Sequence, residues 1–344
     1  MNSAIKILIV LLFMLQGTTI YGEERHYSVG LRHISTLIKP ENVELHIMLW
    51  YPTSENAQAT QVGPYKMDVA KDAIIEPGNR ALIMISHGDG GSHLNHRDTA
   101  AYLSKRGYIV AAVLHPHNNF LDNSEEGTLR NLTKRPHHIS KAVDIILTQP
   151  ELTESVDTNR IAIIGHSAGA YTALALSGGV PNSANIRKHC IKHNDDPVFC
   201  NIFVGSSMFN RNFEIQNGSE GKTIKTTSDP RIKAAILMAP VGVLFNGVRS
   251  LSDVIIPLLI YRAEKDDILH YPYHATFLQK NLSVESEYIV VKNAGHHAFI
   301  TPIPDHMKKK AGKVAIDPDG FDRMLFHTTM NQEIAFFLSK SLSP

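Results

Sequence analysis

The chain has 344 residues, room for one large α/β domain or two ordinary ones, and no segment inside it has the composition of a linker. Lys and Arg total 34 against 33 Asp and Glu, and a formal charge of +1 excludes the basic footprint of a nucleic-acid binder. A hydrophobic share of 43% excludes wholesale disorder.

Lys6 precedes an apolar run over residues 7–15, and the small residue Gly22 stands ahead of Glu23-Glu24-Arg25. That is the order of a secretory signal peptide, expected over residues 1–22 and leaving residues 23–344 as one secreted or periplasmic domain. An uncleaved anchor is the alternative, for which the run is short. Residues 27–34 and 43–51 read as two strands that open the sheet antiparallel, the second alternating Val43, Leu45, Ile47 and Leu49 on one face. Residues 81–86, ALIMIS, are an apolar strand running into the turn His87-Gly88-Asp89-Gly90-Gly91. A helix over 99–106 stops at Gly107, and 108–114 supply the next buried strand. The polar stretch 118–135 predicts a loop over the strand ends, after which Pro136 is expected to open a helix to residue 148 with Ile139, Val143, Ile146 and Leu147 as its apolar stripe. Buried strands alternating with amphipathic helices predict an α/β fold: a mostly parallel central sheet with helices on both faces.

Residues 160–177, RIAIIGHSAGAYTALALS, are the centre of the chain: an apolar strand, the turn Gly165-His166-Ser167-Ala168-Gly169, then a helix of Ala and Leu. This is the pattern of a nucleophile elbow, which exposes a serine hydroxyl above the end of a parallel strand and makes Ser167 the expected nucleophile. The turn at 87–91 follows a buried strand upstream, so the backbone N–H of Asp89, together with that of Ala168, is the expected oxyanion hole. Residues 178–230 are polar and without sustained period, and predict an insertion over the site rather than a second domain. The insertion holds both cysteines of the chain, Cys190 and Cys200, expected to form a disulfide in keeping with export, with two unpaired thiols as the alternative. Strands are expected over 232–239, 255–261 and 287–291. The acid that orients a catalytic histidine belongs just after a late strand, where Asp266 is the first choice and Asp267 and Glu264 are its rivals. His296, in the small-residue loop Asn293-Ala294-Gly295-His296-His297, is the expected general base, with His297 as alternative. A last helix over 322–340 is expected to cover the sheet with Leu325, Ile334, Phe337 and Leu338 turned inward.

LWYP at 49–52, SHGDGG at 86–91, GYIVAAVLHP at 107–116, the elbow, AEKDD at 263–267 and NAGHHAF at 293–299 together resemble the serine α/β-hydrolases related to platelet-activating-factor acetylhydrolases. They are especially similar to bacterial proteins often labelled predicted dienelactone hydrolases. The resemblance spans most of the mature chain. It implies an α/β-hydrolase fold, a Ser167–Asp266–His296 triad, an oxyanion hole at Asp89 and Ala168, and ester substrates with short or modified acyl groups, small or lipid-like. Dienelactone hydrolases proper use a cysteine where this chain has Ser167, and His138 stands where the family tends to carry an aspartate. Such chemistry needs no metal or organic cofactor. Nineteen histidines raise a metal reading, yet pairs such as His93 and His96 lack an HExxH-type third ligand. The two rival functions are a serine peptidase or amidase on the same triad and a non-catalytic binding protein of the same fold; membrane contact would fall to the insertion.

Overall fold

The computed structural model describes residues 26–204 and 223–343; the expected signal peptide lies outside them. β1 (Ser28–Ile38) and β2 (Val43–Thr53) pair antiparallel with Gly30 opposite Tyr51. At Gly30 a side chain would collide with the Tyr51 ring, whose hydroxyl donates to the Ala73 carbonyl at 2.8 Å. A hairpin that the sequence reading did not include follows: β3 (Gln58–Val62) and β4 (Tyr65–Lys71) turn at Gly63, φ 55°, and β4 runs parallel to β1. β5 (Arg80–Ser86), then α1 (Arg97–Ser104), β6 (Ile109–Leu114), α2 (Leu129–Thr148), the single turn α3 (Pro150–Thr153) and β7 (Val156–His166) form the parallel centre. Every residue of β5 and β6 is buried, as strands covered on both faces must be.

α2 starts seven residues before the expected Pro136 because the Thr128 hydroxyl caps it, accepting the Asn131 N–H at 3.1 Å. Pro136 sits inside the helix, where it cannot donate to the Leu132 carbonyl. The Tyr171 hydroxyl takes that place, donating to the Leu132 oxygen at 3.1 Å, so the helix tolerates its proline.

α4 (Ala168–Leu176) leads into the insertion, which is not irregular as the polar sequence suggests. It contains α5 (Ala184–Lys192) and α6 (Pro197–Val204), joined by the Cys190–Cys200 disulfide; residues 205–222 lie outside the described chain. Each helix is too short to show a clear apolar period. Closing a loop this short restricts the unfolded chain, so the double variant Cys190→Ser/Cys200→Ser is expected to lose about 3 kcal/mol in urea unfolding; an unchanged midpoint would contradict this.

β8 (Ile232–Met238), β9 (Leu258–Ala263), α7 (Ala275–Asn281), β10 (Ser286–Val291), α8 (Asp305–Ala311) and α9 (Arg323–Ser341) complete the chain. The ten strands lie in the order β10-β9-β8-β7-β5-β6-β2-β1-β4-β3. One core, with Ile139, Val143 and Leu174, lies under α2 and α4; the other, with Leu103, Ile334 and Phe337, lies under α1 and α9. Leu325 is exposed, contrary to expectation: at about 100° per residue it falls half a turn away from Ile334, and Met330 and His327 take the inward stripe. Among the described residues no helix is long and apolar enough to cross a membrane.

Candidate active site

β7 delivers Ser167 directly into α4. Ser167 alone in the GHSAG segment has a positive φ, 55° with ψ −118°, a conformation that stores strain and aims the side chain off the sheet end. The flanking glycines answer a different demand. A Cβ on Gly165 would overlap the Gly169 carbonyl, and one on Gly169 would overlap the Ser86 oxygen and lie 2.8 Å from that of His87. Glycine here provides close passage of backbones rather than an unusual dihedral. Gly169→Ala is therefore expected to cost about 3 kcal/mol of stability, read by urea unfolding, since the colliding atoms are main chain. A loss within about 0.5 kcal/mol would show that the turn can open.

The loop after β5 packs against this elbow: a Cβ on Gly88 would lie 3.3 Å from that of Ser167. Its shape is fixed by Gly91 N–H to the Gly88 carbonyl, 3.1 Å, and Gly90 N–H to Asn123 Oδ1, 3.1 Å. Among the described residues no hydrogen bond engages the N–H of Asp89 or of Ala168, and both residues line a cavity with Ser167. The Asp89 carboxylate accepts from Asn131 Nδ2 at 3.4 Å.

Beneath the loop lies Arg135, fully buried. Its guanidinium donates to Thr172 Oγ1 of α4 at 3.1 Å, to Ser86 Oγ at 3.3 Å, and to the His87 carbonyl and Asn118 Oδ1. Burial pushes its pKa down to about 10, with Asp89 opposing, so it stays charged at neutral pH. The sequence reading missed it. The signal was there: Arg135 sits four residues before Ile139, a charge on the apolar stripe of a helix.

After β9, the Asp266 carboxylate accepts the N–H of Ile268 and Leu269 at 3.0 and 2.8 Å and faces His296 Nδ1 at 3.0 and 2.9 Å. Burial would raise its pKa, but the His296 imidazole and these N–H groups outweigh it and hold the carboxyl below its usual range. An ionised Asp266 must receive a proton, so Nδ1–H donates and His296 Nε2 is left as the basic nitrogen. Of the rival acids, Asp267 is exposed and Glu264 pairs with Lys292 at 2.7 Å and the Asn293 N–H at 2.8 Å. His297 makes no bond to Asp266, and burial followed by the His296 charge pushes it down to about 3. The serine and the acid–histidine pair meet through His166, whose Nε2 bonds the His296 carbonyl at 3.0 Å with the ring centroids 5.0 Å apart. The structure shows no Ser167 hydroxyl bond to His296, a contact that in unliganded enzymes is often long and tightens with substrate. His138 lies buried beside His115, Nδ1 to Nδ1 3.4 Å.

Among the described residues no group of three or more His, Cys, Asp or Glu is placed to hold a metal ion. No family model matches the sequence, and no curated protein does. A solved structure similar to this one is the ferulic acid esterase from Streptomyces cinnamoneus, with a TM-score of 0.61 over 93% of this chain and 91% of that one at 19% identity. At that identity the likeness is one of fold: a mixed α/β architecture around a large, mostly parallel sheet, the α/β-hydrolase fold.

Proposed function

We propose that the protein is a serine carboxylic ester hydrolase that works through an acyl-enzyme on short-acyl esters, among them acetyl esters of small or lipid-like alcohols. The observation that carries this reading is the strained Ser167 at the end of β7, whose neighbour His166 packs on an imidazole with its Nδ1 held by a buried carboxylate. A merely structural serine has no need of a φ of 55°, and binding alone needs no oriented histidine.

In the proposed reaction His296 Nε2 removes the Ser167 proton as the hydroxyl oxygen attacks the ester carbonyl. The N–H groups of Asp89 and Ala168 receive the oxyanion, and Asp266 stabilises the imidazolium. The imidazolium then gives its proton to the departing alkoxide, and water releases the acyl group by the same route. The Arg135 guanidinium fixes the loop that carries Asp89 to the helix that carries Ala168, so the two donors keep their spacing without rearranging during the reaction. The motif resemblance favours an acetylhydrolase-like enzyme within this class, and the disulfide suits a secreted or periplasmic setting.

The test is treatment with a fluorophosphonate followed by mass spectrometry of the peptide containing Ser167, beside hydrolysis of p-nitrophenyl acetate, butyrate and octanoate. A phosphonyl adduct on Ser167 with hydrolysis of acetate or butyrate is expected. A folded protein with neither would overturn the reading.

A further inference from the structure

The short helix pair of the insertion is anchored by a second carboxylate–histidine cluster, apart from the proposed catalytic one. Asp196, completely buried in the turn between α5 and α6, accepts from His189 Nε2 at 2.8 Å and His274 Nε2 at 2.9 Å. His189 belongs to α5, but His274 belongs to the segment that runs from Asp266 into α7. The Gly242 N–H donates to His274 Nδ1 at 3.3 Å, which leaves Nε2 as the protonated nitrogen and fixes the donor towards Asp196. The neighbouring Asp195 accepts the Tyr273 hydroxyl at 2.8 Å, and its carbonyl meets His270 Nδ1. The helix pair is thus pinned to the acid loop through three side chains of that loop, His270, Tyr273 and His274, and the disulfide closes the same turn.

One turn beyond Asp196 stands Phe199, with no exposed surface, its ring 4.9 Å from that of His274 and 5.0 Å from that of Phe203. Phe199, Ile202 and Phe203 form one wall of the cavity at Ser167; Tyr171, Leu244 and Leu269 form others. The cavity touches Asp89 and Ala168 but neither His296 nor His297. A leaving alkoxide must lie beside the imidazole that protonates it, so a cavity on the oxyanion side without a histidine in its walls receives the acyl group. Of its walls, Tyr171, Phe199 and Leu244 have no exposed surface, so core residues close its inner end. Among the described residues the single charged group in these walls is Asp89, already engaged by Asn131.

We propose that this cavity is the acyl subsite, selective for short uncharged acyl groups, with Phe199 as the residue that sets acyl length and Asp196 as the positioning residue that holds the wall in place. This rests on the ester-hydrolase reading. It is tested by kcat/KM for p-nitrophenyl acetate, butyrate and octanoate with the wild type, Phe199→Ala, the milder Phe199→Leu, and Asp196→Asn. Removing side-chain volume from an apolar pocket changes discrimination by about tenfold or more, so the octanoate-to-acetate ratio is expected to rise by at least about tenfold in Phe199→Ala and less in Phe199→Leu. Asp196→Asn, which leaves every wall residue intact, is expected to move the ratio the same way, with KM for octanoate changing more than kcat. A parallel fall on all three esters in both Phe199 variants would overturn the acyl assignment, and an unchanged ratio in folded Asp196→Asn would overturn the positioning role. Absence of serine-dependent hydrolysis in the wild type would overturn both together with the ester reading, and is distinguishable because the ratios require an active wild type.

Discussion

Ser167→Ala is expected to lower kcat/KM for p-nitrophenyl butyrate by about 10⁴-fold or more, because no other group in the proposed site can form the acyl-enzyme. The fold should be indifferent to the change. Alanine keeps the Cβ and therefore the strain at φ 55°, and among the described residues the Ser167 hydroxyl makes no hydrogen bond that the variant would lose. Ser167→Gly separates the two properties: it is expected to abolish hydrolysis equally while gaining about 1 kcal/mol of stability in urea unfolding, since glycine adopts this conformation without penalty. Asp266→Asn is expected to cost about 10⁴-fold through the wrong histidine tautomer, and the double variant no more than Ser167→Ala alone, since the groups act as one unit. Ester hydrolysis that survives Ser167→Ala in purified protein would remove the nucleophile from the mechanism.

Mild acid is expected to unfold the protein, at about pH 5 and well above the range where carboxylates titrate. Besides His274, eight interior histidines, His87, His93, His96, His115, His138, His166, His297 and His327, have pKa values pushed down by burial; the Arg135 charge is the next cause for His87, His115 and His138. His93 and His327 fall to about 4, and His96, His138 and His297 to about 3. The unfolded imidazole titrates near 6.5, so below that pH the unfolded chain binds protons that the folded chain refuses. The stability these groups contribute is complete above about pH 6.5 and is lost as pH falls towards their folded values. Each costs about 1.4 kcal/mol per pH unit, and eight give a slope on the order of 10 kcal/mol per unit near pH 5, comparable with the whole stability of a domain. Urea unfolding between pH 7 and 5.5 measures this slope, and circular dichroism locates the transition. An uptake of only about one or two protons would mean that these rings are charged or solvated in the folded protein.

The parallel centre of the sheet was legible because each of its strands is buried on both faces and so is written as an unbroken apolar run: ALIMIS in β5 and IAII in β7 need no partner to be recognised. The β3–β4 hairpin was not, since Gln58, Gln61 and Lys66 make it a half-exposed edge of ordinary polar composition. The motif positions of the proposed site could be read from spacing together with the strands and helix that flank them, and the structure adds what these do not carry: which acid faces the imidazole, and which residues hold the loops. Arg135, Asp196 and Tyr171 hold other elements in place through Asn118, His274 and Leu132, which lie 17, 78 and 39 positions away, and no local pattern announces a partner at that distance. The length of α2 was hidden by the proline rule itself, which holds for a helix in water but yields once a tyrosine hydroxyl occupies the abandoned carbonyl.

The glycines divide into two kinds that differ in whether a second mutation could rescue the first. At Gly30 the obstacle is the Tyr51 ring, a side chain, so trimming Tyr51 makes room and an alanine there has a suppressor within reach of a single further change. At Gly165 and Gly169 the obstacle is the main chain of Gly169 and of Ser86, which every amino acid shares. No substitution elsewhere can clear it. A selection for second-site revertants would therefore return local suppressors at Tyr51 from position 30, whereas positions 165 and 169 would return true glycine revertants or distant substitutions that raise stability without touching the clash, so no neighbour can re-shape the elbow to accept a side chain there.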